Sequence, residues 1–137
     1  MSPKMIEEID AERAAEFRRQ EKIKYDAMNG ILEPPSEVKK SVEDASLVFW
    51  SKFDDYVRAV RAGEAARAPS RDRHKLLFLD SDVLQHADME TVLIAEGYWG
   101  KLFNQAMLER GIPNNSDAVM GILYRRTLPE GLKLPGE

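Results

Sequence analysis

The stretch SEVKKSVEDASLVFWSKFDDYVRAVRA, Ser36 to Ala62, decides the fold. Val38, Val42, Ala45, Phe49, Phe53, Tyr56 and Val60 follow one another by steps of three or four residues, the spacing that lines up one face of an α-helix. Leu47, Val48, Trp50 and Val57 fall outside that stripe, so more of the circumference is apolar than a helix covered on one side needs. Neighbours on two sides are expected. Pro34-Pro35 stops what precedes, Ser36 or Ser41 offers an N-cap, Ser41 with Asp44 imitates a loose capping box, and Gly63 suits the C′ position.

Toward the N-terminus, Ser2-Pro3 opens a helix that runs to about Met28 and ends at Asn29-Gly30. Its middle is mostly charged, with Asp10 and Arg13, Glu16 and Arg19, and Glu21 and Lys24 as i,i+3 pairs. Ile6, Ile9, Phe17, Ile23, Tyr25 and Met28 make only an interrupted stripe, so this segment either lies on the outside of a bundle or is an arm awaiting a partner. Met1 to Asp10 already carries Lys4, Glu7, Glu8 and Asp10, and no run approaches a membrane span, so neither an export leader nor a membrane anchor is expected.

Toward the C-terminus, Gly63 to Arg73 reads as a connector broken by Pro69-Ser70. It belongs to the most basic part of the chain: Arg58, Arg61, Arg67, Arg71, Arg73 and Lys75 face only Glu64 and Asp72 nearby. A phosphate, a nucleic-acid backbone or an acidic protein surface suits such a patch, although no aromatic side chains interleave it to stack bases. The chain as a whole, with 20 basic and 24 acidic residues and a net charge of −4, lacks the concentrated basic face of a general nucleic-acid binder. Cysteine is absent, which excludes thiolate catalysis, Cys-ligated metals and disulfides, and suits a reducing cytosol.

Lys75 to Leu84, KLLFLDSDVL, carries the one hint of chemistry. If Leu76 to Leu79 is a buried strand, Asp80 and Asp82 stand just past its C-terminal end, where α/β folds place ligand sites and where two hard oxygen donors hold Mg²⁺ or Mn²⁺ beside a diphosphate. The segment resembles the DxD segment of nucleotide-sugar glycosyltransferases, whose apolar strand leads into LDSD or LDAD, and Val83-Leu84 and Asp88 extend the likeness. The resemblance covers about fifteen residues and implies Asp80 and Asp82 as metal ligands. The upstream residues, however, hold two charged helical patterns without a strand or a Gly-rich turn. On the other reading Leu76, Leu79 and Val83 form a helical stripe, with Ser70 and Ser81 as caps.

From Ser81 or Asp88 the pattern is helical through Met89, Val92, Leu93, Trp99, Leu102, Phe103, Ala106 and Met107. Gly97 and Gly100 interrupt the pattern, bracket Tyr98-Trp99 and either kink this helix or divide it into two, as another backbone packing closely against them would cause; the aromatic pair is expected in the core rather than in a ligand slot. Gly111 with Pro113 ends the helix. Ser116 caps a last short helix to about Arg126, with Val119, Met120, Ile122 and Leu123 buried. That pair is compatible with a helix-turn-helix, but its arginines, Arg125 and Arg126, stand at the C-terminal end of the second helix. Thr127 to Glu137 is expected to be an extended tail whose leucines drop into a groove on this molecule or a neighbour. His74 and His86 share no helical face, and no nucleophile elbow, Walker loop or dinucleotide fingerprint occurs, so no cofactor is called for.

The chain is therefore expected to be an all-α domain of four to six helices around a central amphipathic helix. Residues 1–30 form a charged arm, 36–126 a helical core and 127–137 an extended tail. The leading expectation for function is a non-enzymatic, cytoplasmic interaction or assembly protein, a phage-type or multi-subunit accessory component. It would bind itself or another protein through helical surfaces, with Phe49, Trp50, Phe53, Tyr56 and Val60 as the interaction face. The alternatives are a nucleic-acid-binding regulator using segment 58–75 and the C-terminal helix pair, and a divalent-metal transferase site at Asp80 and Asp82.

Overall fold

The computed structural model describes residues 3–137, Ser116 by its backbone alone. The described chain is all-α: α1 (Pro3–Met28), α2 (Ser36–Arg61), α3 (Arg71–Leu79), α4 (Asp82–Gln85), α5 (Met89–Glu109) and α6 (Ser116–Arg125). Three of these helices end in one motif. After α1, α2 and α5 the glycines Gly30, Gly63 and Gly111 take φ of 78°, 68° and 66°. The following amides of Ile31, Glu64 and Ile112 reach back to the carbonyls of Asp26, Ala59 and Met107. These are Schellman caps, which satisfy carbonyls that a helix end otherwise leaves bare.

The starts of α2, α3, α5 and α6 are set by side chains or by proline. Ser70 accepts the Arg73 amide before α3, Asp88 accepts the Thr91 amide at 2.8 Å before α5, and Asn115 accepts the Ala118 amide before α6. Asn115 thus occupies the capping position expected of Ser116. Neither Ser36 nor Ser41 caps α2: Pro35 holds the N-cap position, and its carbonyl takes the Lys39 amide at 2.8 Å. The proline's restricted φ sets the backbone for the first turn without a side-chain bond. The cap expected of Ser2 lies outside the described residues.

Helices α2 and α5 share the core. Val38, Val42, Ala45, Phe49, Phe53 and Tyr56 are buried along the expected stripe, and Trp50 and Val57 widen it, while Leu47 and Val48 are exposed. Rings of Phe49, Trp50, Phe53 and Phe103 lie 4.9–6.2 Å apart, and Phe78 of α3 reaches Trp99 at 5.4 Å. Such offset and edge-on ring pairs add to area burial. Across the same interface the buried Tyr98 hydroxyl donates to Glu43 at 2.7 Å; burial first, then this bond, raises the phenol's pKa. The tail folds back on its own molecule, with Leu132 and Leu134 buried in the core. Arg61 binds Glu137 at 2.6 Å and the Leu132 carbonyl at 2.8 Å.

Helix α5 is unbroken through Gly97 and Gly100, and the glycines are there for close approach. A Cβ on Gly97 would collide with the Lys24 carbonyl and with the Ala27 methyl of α1, and one on Gly100 would meet the Met28 side chain. Lys24 pairs with Glu96 at 3.4 Å and Arg19 senses Glu90, so α1 runs parallel to the first half of α5. The second half of α5 lies beside α2, through Glu43 and Tyr98 near its middle and Asp54 and Arg110 at its end.

Two expectations follow. Gly97→Val places a side chain against backbone rather than a movable side chain, so it should cost about 1–3 kcal/mol. Hydrogen exchange should then accelerate in residues 20–28 of α1 while the α2 core keeps its protection; unchanged protection of 20–28 would contradict the close packing. The second concerns the α5 cap. The Thr91 side chain and then its amide hold the Asp88 carboxyl below the usual carboxylate range. A depressed folded-state pKa contributes stability above the unfolded value of about 3.9, lost as pH falls through the folded value. The advantage of wild type over Asp88→Asn in Tm should therefore shrink as pH is lowered below about 4, and a constant difference would refute that coupling.

Candidate functional site

Helix α1 continues beyond its seat. Arg19 lies beside the start of α5, and residues 3–18 extend past it, a length of about 24 Å at 1.5 Å per residue. Every residue from Pro3 to Arg18 except Ile9 is exposed. Ile6 and Phe17 present large apolar side chains to solvent, 48% and 63% exposed, and Ile9 lies on the same side at helical spacing. The charges divide along the helix: Lys4 stands against Glu7, Glu8, Asp10 and Glu12, net −3 over residues 3–12. Arg13, Arg18, Arg19, Lys22 and Lys24 stand against Glu16 and Glu21, net +3 over residues 13–24. Glu16 is gripped by Arg19 through two bonds of 2.8 and 3.0 Å and by Gln20 at 3.1 Å, contacts that draw its pKa down to about 2.

The residues expected to form the interaction face are elsewhere. Phe49, Trp50, Phe53 and Tyr56 are buried in the molecule's own core, with Val60 packed at its edge. They are corrected from an offered surface to internal packing. The broad apolar circumference of α2 is taken up by α5, α3 and α4, and the tail leucines fill the same core.

The basic segment does not form one patch. Arg58 pairs with Asp55 at 3.2 Å, Arg61 with Glu137, and Lys75 approaches Glu96 at 3.9 Å. Arg71 lies over the Phe103 ring, 4.3 Å from its centre. Only Arg67 and Arg73 converge, and they do so with Lys52 of α2, around a cleft of about 520 Å³. At the end of α6 Arg125 turns to the Asp117 carbonyl, and Arg126 donates to the Glu64 carbonyl at 2.7 Å and lies over Tyr56. The arginines of the helix-turn-helix alternative are exposed and tied to backbone carbonyls of this molecule.

The run Leu76–Leu79 is helical, the last turn of α3, so Asp80 and Asp82 do not follow a strand. Asp80 is the C-cap of α3 and Asp82 the first residue of the four-residue α4; between them Ser81 donates to the Phe78 carbonyl at 2.6 Å. The aspartates mark a helix-to-helix turn. Among the described residues no group of three or more His, Asp or Glu side chains is placed to hold a metal ion.

One residue that matters is hidden in the sequence. Arg110 is buried, and its guanidinium meets Asp54 fork to fork at 2.7 and 2.9 Å, donates to the Ala106 carbonyl at 3.0 Å and stacks on Trp50 at 4.6 Å. An arginine at a helix end ordinarily reads as a solvated cation; the only local signal is its place one residue before Gly111. Comparison of the chain with models of known families, with curated proteins and with solved structures gives no match.

Arg110→Ala should destabilise the protein by about 3–5 kcal/mol, because Asp54 is left buried without its counter-charge. In a double-mutant cycle Asp54→Ala with Arg110→Ala should cost less than the sum of the two single changes. Additive denaturation free energies would show the pair to be uncoupled.

Proposed function

We propose that this protein is a non-enzymatic assembly component, a small accessory subunit that joins a second copy of itself by antiparallel pairing of the α1 arms. The observation that carries the reading is the projecting arm, which exposes Ile6 and Phe17 beyond the helical body. Its charge supports the choice of partner. In an antiparallel pair related by a two-fold axis, the acidic 3–12 segment of each arm faces the basic 13–24 segment of the other. A parallel pair would set like charges together. Ile6 and Ile9 of one arm then come opposite the Phe17 region of the other, removing the exposed apolar side chains from water. A cysteine-free chain suits such a role in a reducing cytosol.

The test is sedimentation over a hundredfold range of protein concentration. The mass should rise from 15.6 kDa toward twice that value, and association should weaken with added salt as the facing charges are screened. Phe17→Asp should abolish association and leave Tm unchanged at concentrations where the wild type is monomeric, since the side chain is largely exposed within the monomer. A monomer at every concentration, or a dimer indifferent to Phe17→Asp, would refute pairing through the arm.

A further inference from the structure

The basic residues around the connector sort by whether they have a partner. Arg58, Arg61 and Lys75 have carboxylates and Arg71 has an aromatic face. Among the described residues the side chains of Lys52, Arg67 and Arg73 have neither an ion pair nor a hydrogen bond, and all three line the same cleft between α2, the 64–70 connector and α3. The rest of the lining is Ala68, Pro69, Ser70, His74 and Leu77, with no carboxylate. In a chain of net charge −4, three unneutralised cations thus converge on one concavity.

The wall is fixed in place. His74 is 6% exposed, its Nδ1 lies 2.6 Å from the Ser70 carbonyl and so donates to it, and its ring meets Phe49 edge-on at 5.5 Å. Ser70 caps α3, and Arg126 ties the Glu64 carbonyl at the other end of the connector. The cations therefore stand on a wall held against the core, where an entering anion meets all three. The cleft, about 520 Å³, lies in the range of small-molecule sites, and Ala68, Pro69 and Leu77 supply an apolar side to it.

We propose that this cleft binds a small phosphorylated molecule, with Lys52, Arg67 and Arg73 holding the phosphate oxygens and the Ala68, Pro69 and Leu77 side covering the organic part. The paired state of Arg58, Arg61 and Lys75 sets the class of ligand. A nucleic acid needs a track of free cations along its backbone, whereas the free charge of segment 58–75 is confined to one hollow. The site is independent of arm pairing.

The full-length protein at low salt is titrated calorimetrically with inorganic pyrophosphate, with adenosine diphosphate and with a mixed-sequence single-stranded oligonucleotide. Pyrophosphate and the diphosphate should bind at one site per chain, and the nucleoside should add affinity over pyrophosphate. Arg67→Ala and Arg73→Ala, both at exposed positions, should each weaken binding by about tenfold or more, while Arg58→Ala leaves it unchanged. Arg67→Glu, checked for an unaltered Tm, should abolish it. No heat at millimolar pyrophosphate or diphosphate, an equal loss in Arg58→Ala, or binding of the oligonucleotide alone would overturn the proposal.

Discussion

The Arg110 guanidinium sits where α2, α5 and the tail meet, and its charge is tolerated there because Asp54 matches it with both carboxylate oxygens. Its Nη1 donates to a helix carbonyl, its face lies on Trp50, and its own backbone carbonyl receives the Lys133 amide. One residue thus joins the end of α5 to the middle of α2 and to the strand-like return of the tail. Gly111 next to it completes the junction, since a Cβ there would meet the Gly131 carbonyl. A buried ion pair adds little net stability over an apolar pair of equal volume; its worth lies in permitting one register between the helices. Trp50 and Trp99, by contrast, bury indole N–H groups that find no acceptor among the described residues.

The other half of the molecule rests on absence of bulk rather than on charge. Gly97 and Gly100 let α1 lie directly on the backbone of α5, and α1 needs almost no apolar side chains to stay there: Ala27 is its one buried residue among those described. That explains how a helix so rich in charge is held at all. It also explains why the contact ends near Arg19, since α5 begins only at Met89.

Much of this was legible because it is local. The glycine-ended helices, the Ser70 and Asp88 caps and the stripe from Val38 to Tyr56 are set by residues within a turn or two of one another, and sequence spacing reports them directly. Another backbone does approach Gly97, but α5 is not divided there, and at Gly100 the close neighbour is the Met28 side chain. What spacing does not report is which of several apolar faces meets a neighbour: Trp50 and Val57 are inside, Leu47 and Val48 outside, and nothing local distinguishes them. Leu76–Leu79 was open between strand and helix because four apolar residues fit either period. The basic segment looked like one patch because its residues adjoin in the chain, yet partners such as Glu96 and Glu137 lie far along it and divide the patch into paired and free cations. Arg110 was invisible for the same reason, its partner standing 56 positions away.

The seat of α1 has one more consequence. Because the arm is a single continuous helix seated on α5 between Arg19 and Met28, the direction in which Ile6 and Phe17 point is fixed by counting residues from that seat. Each residue inserted between seat and tip would advance the tip by about 1.5 Å and swing its apolar side by roughly 100°, while an insertion of about seven would nearly restore the bearing at greater reach. The arm is in effect a graduated rod, whose length and heading are written in whole residues.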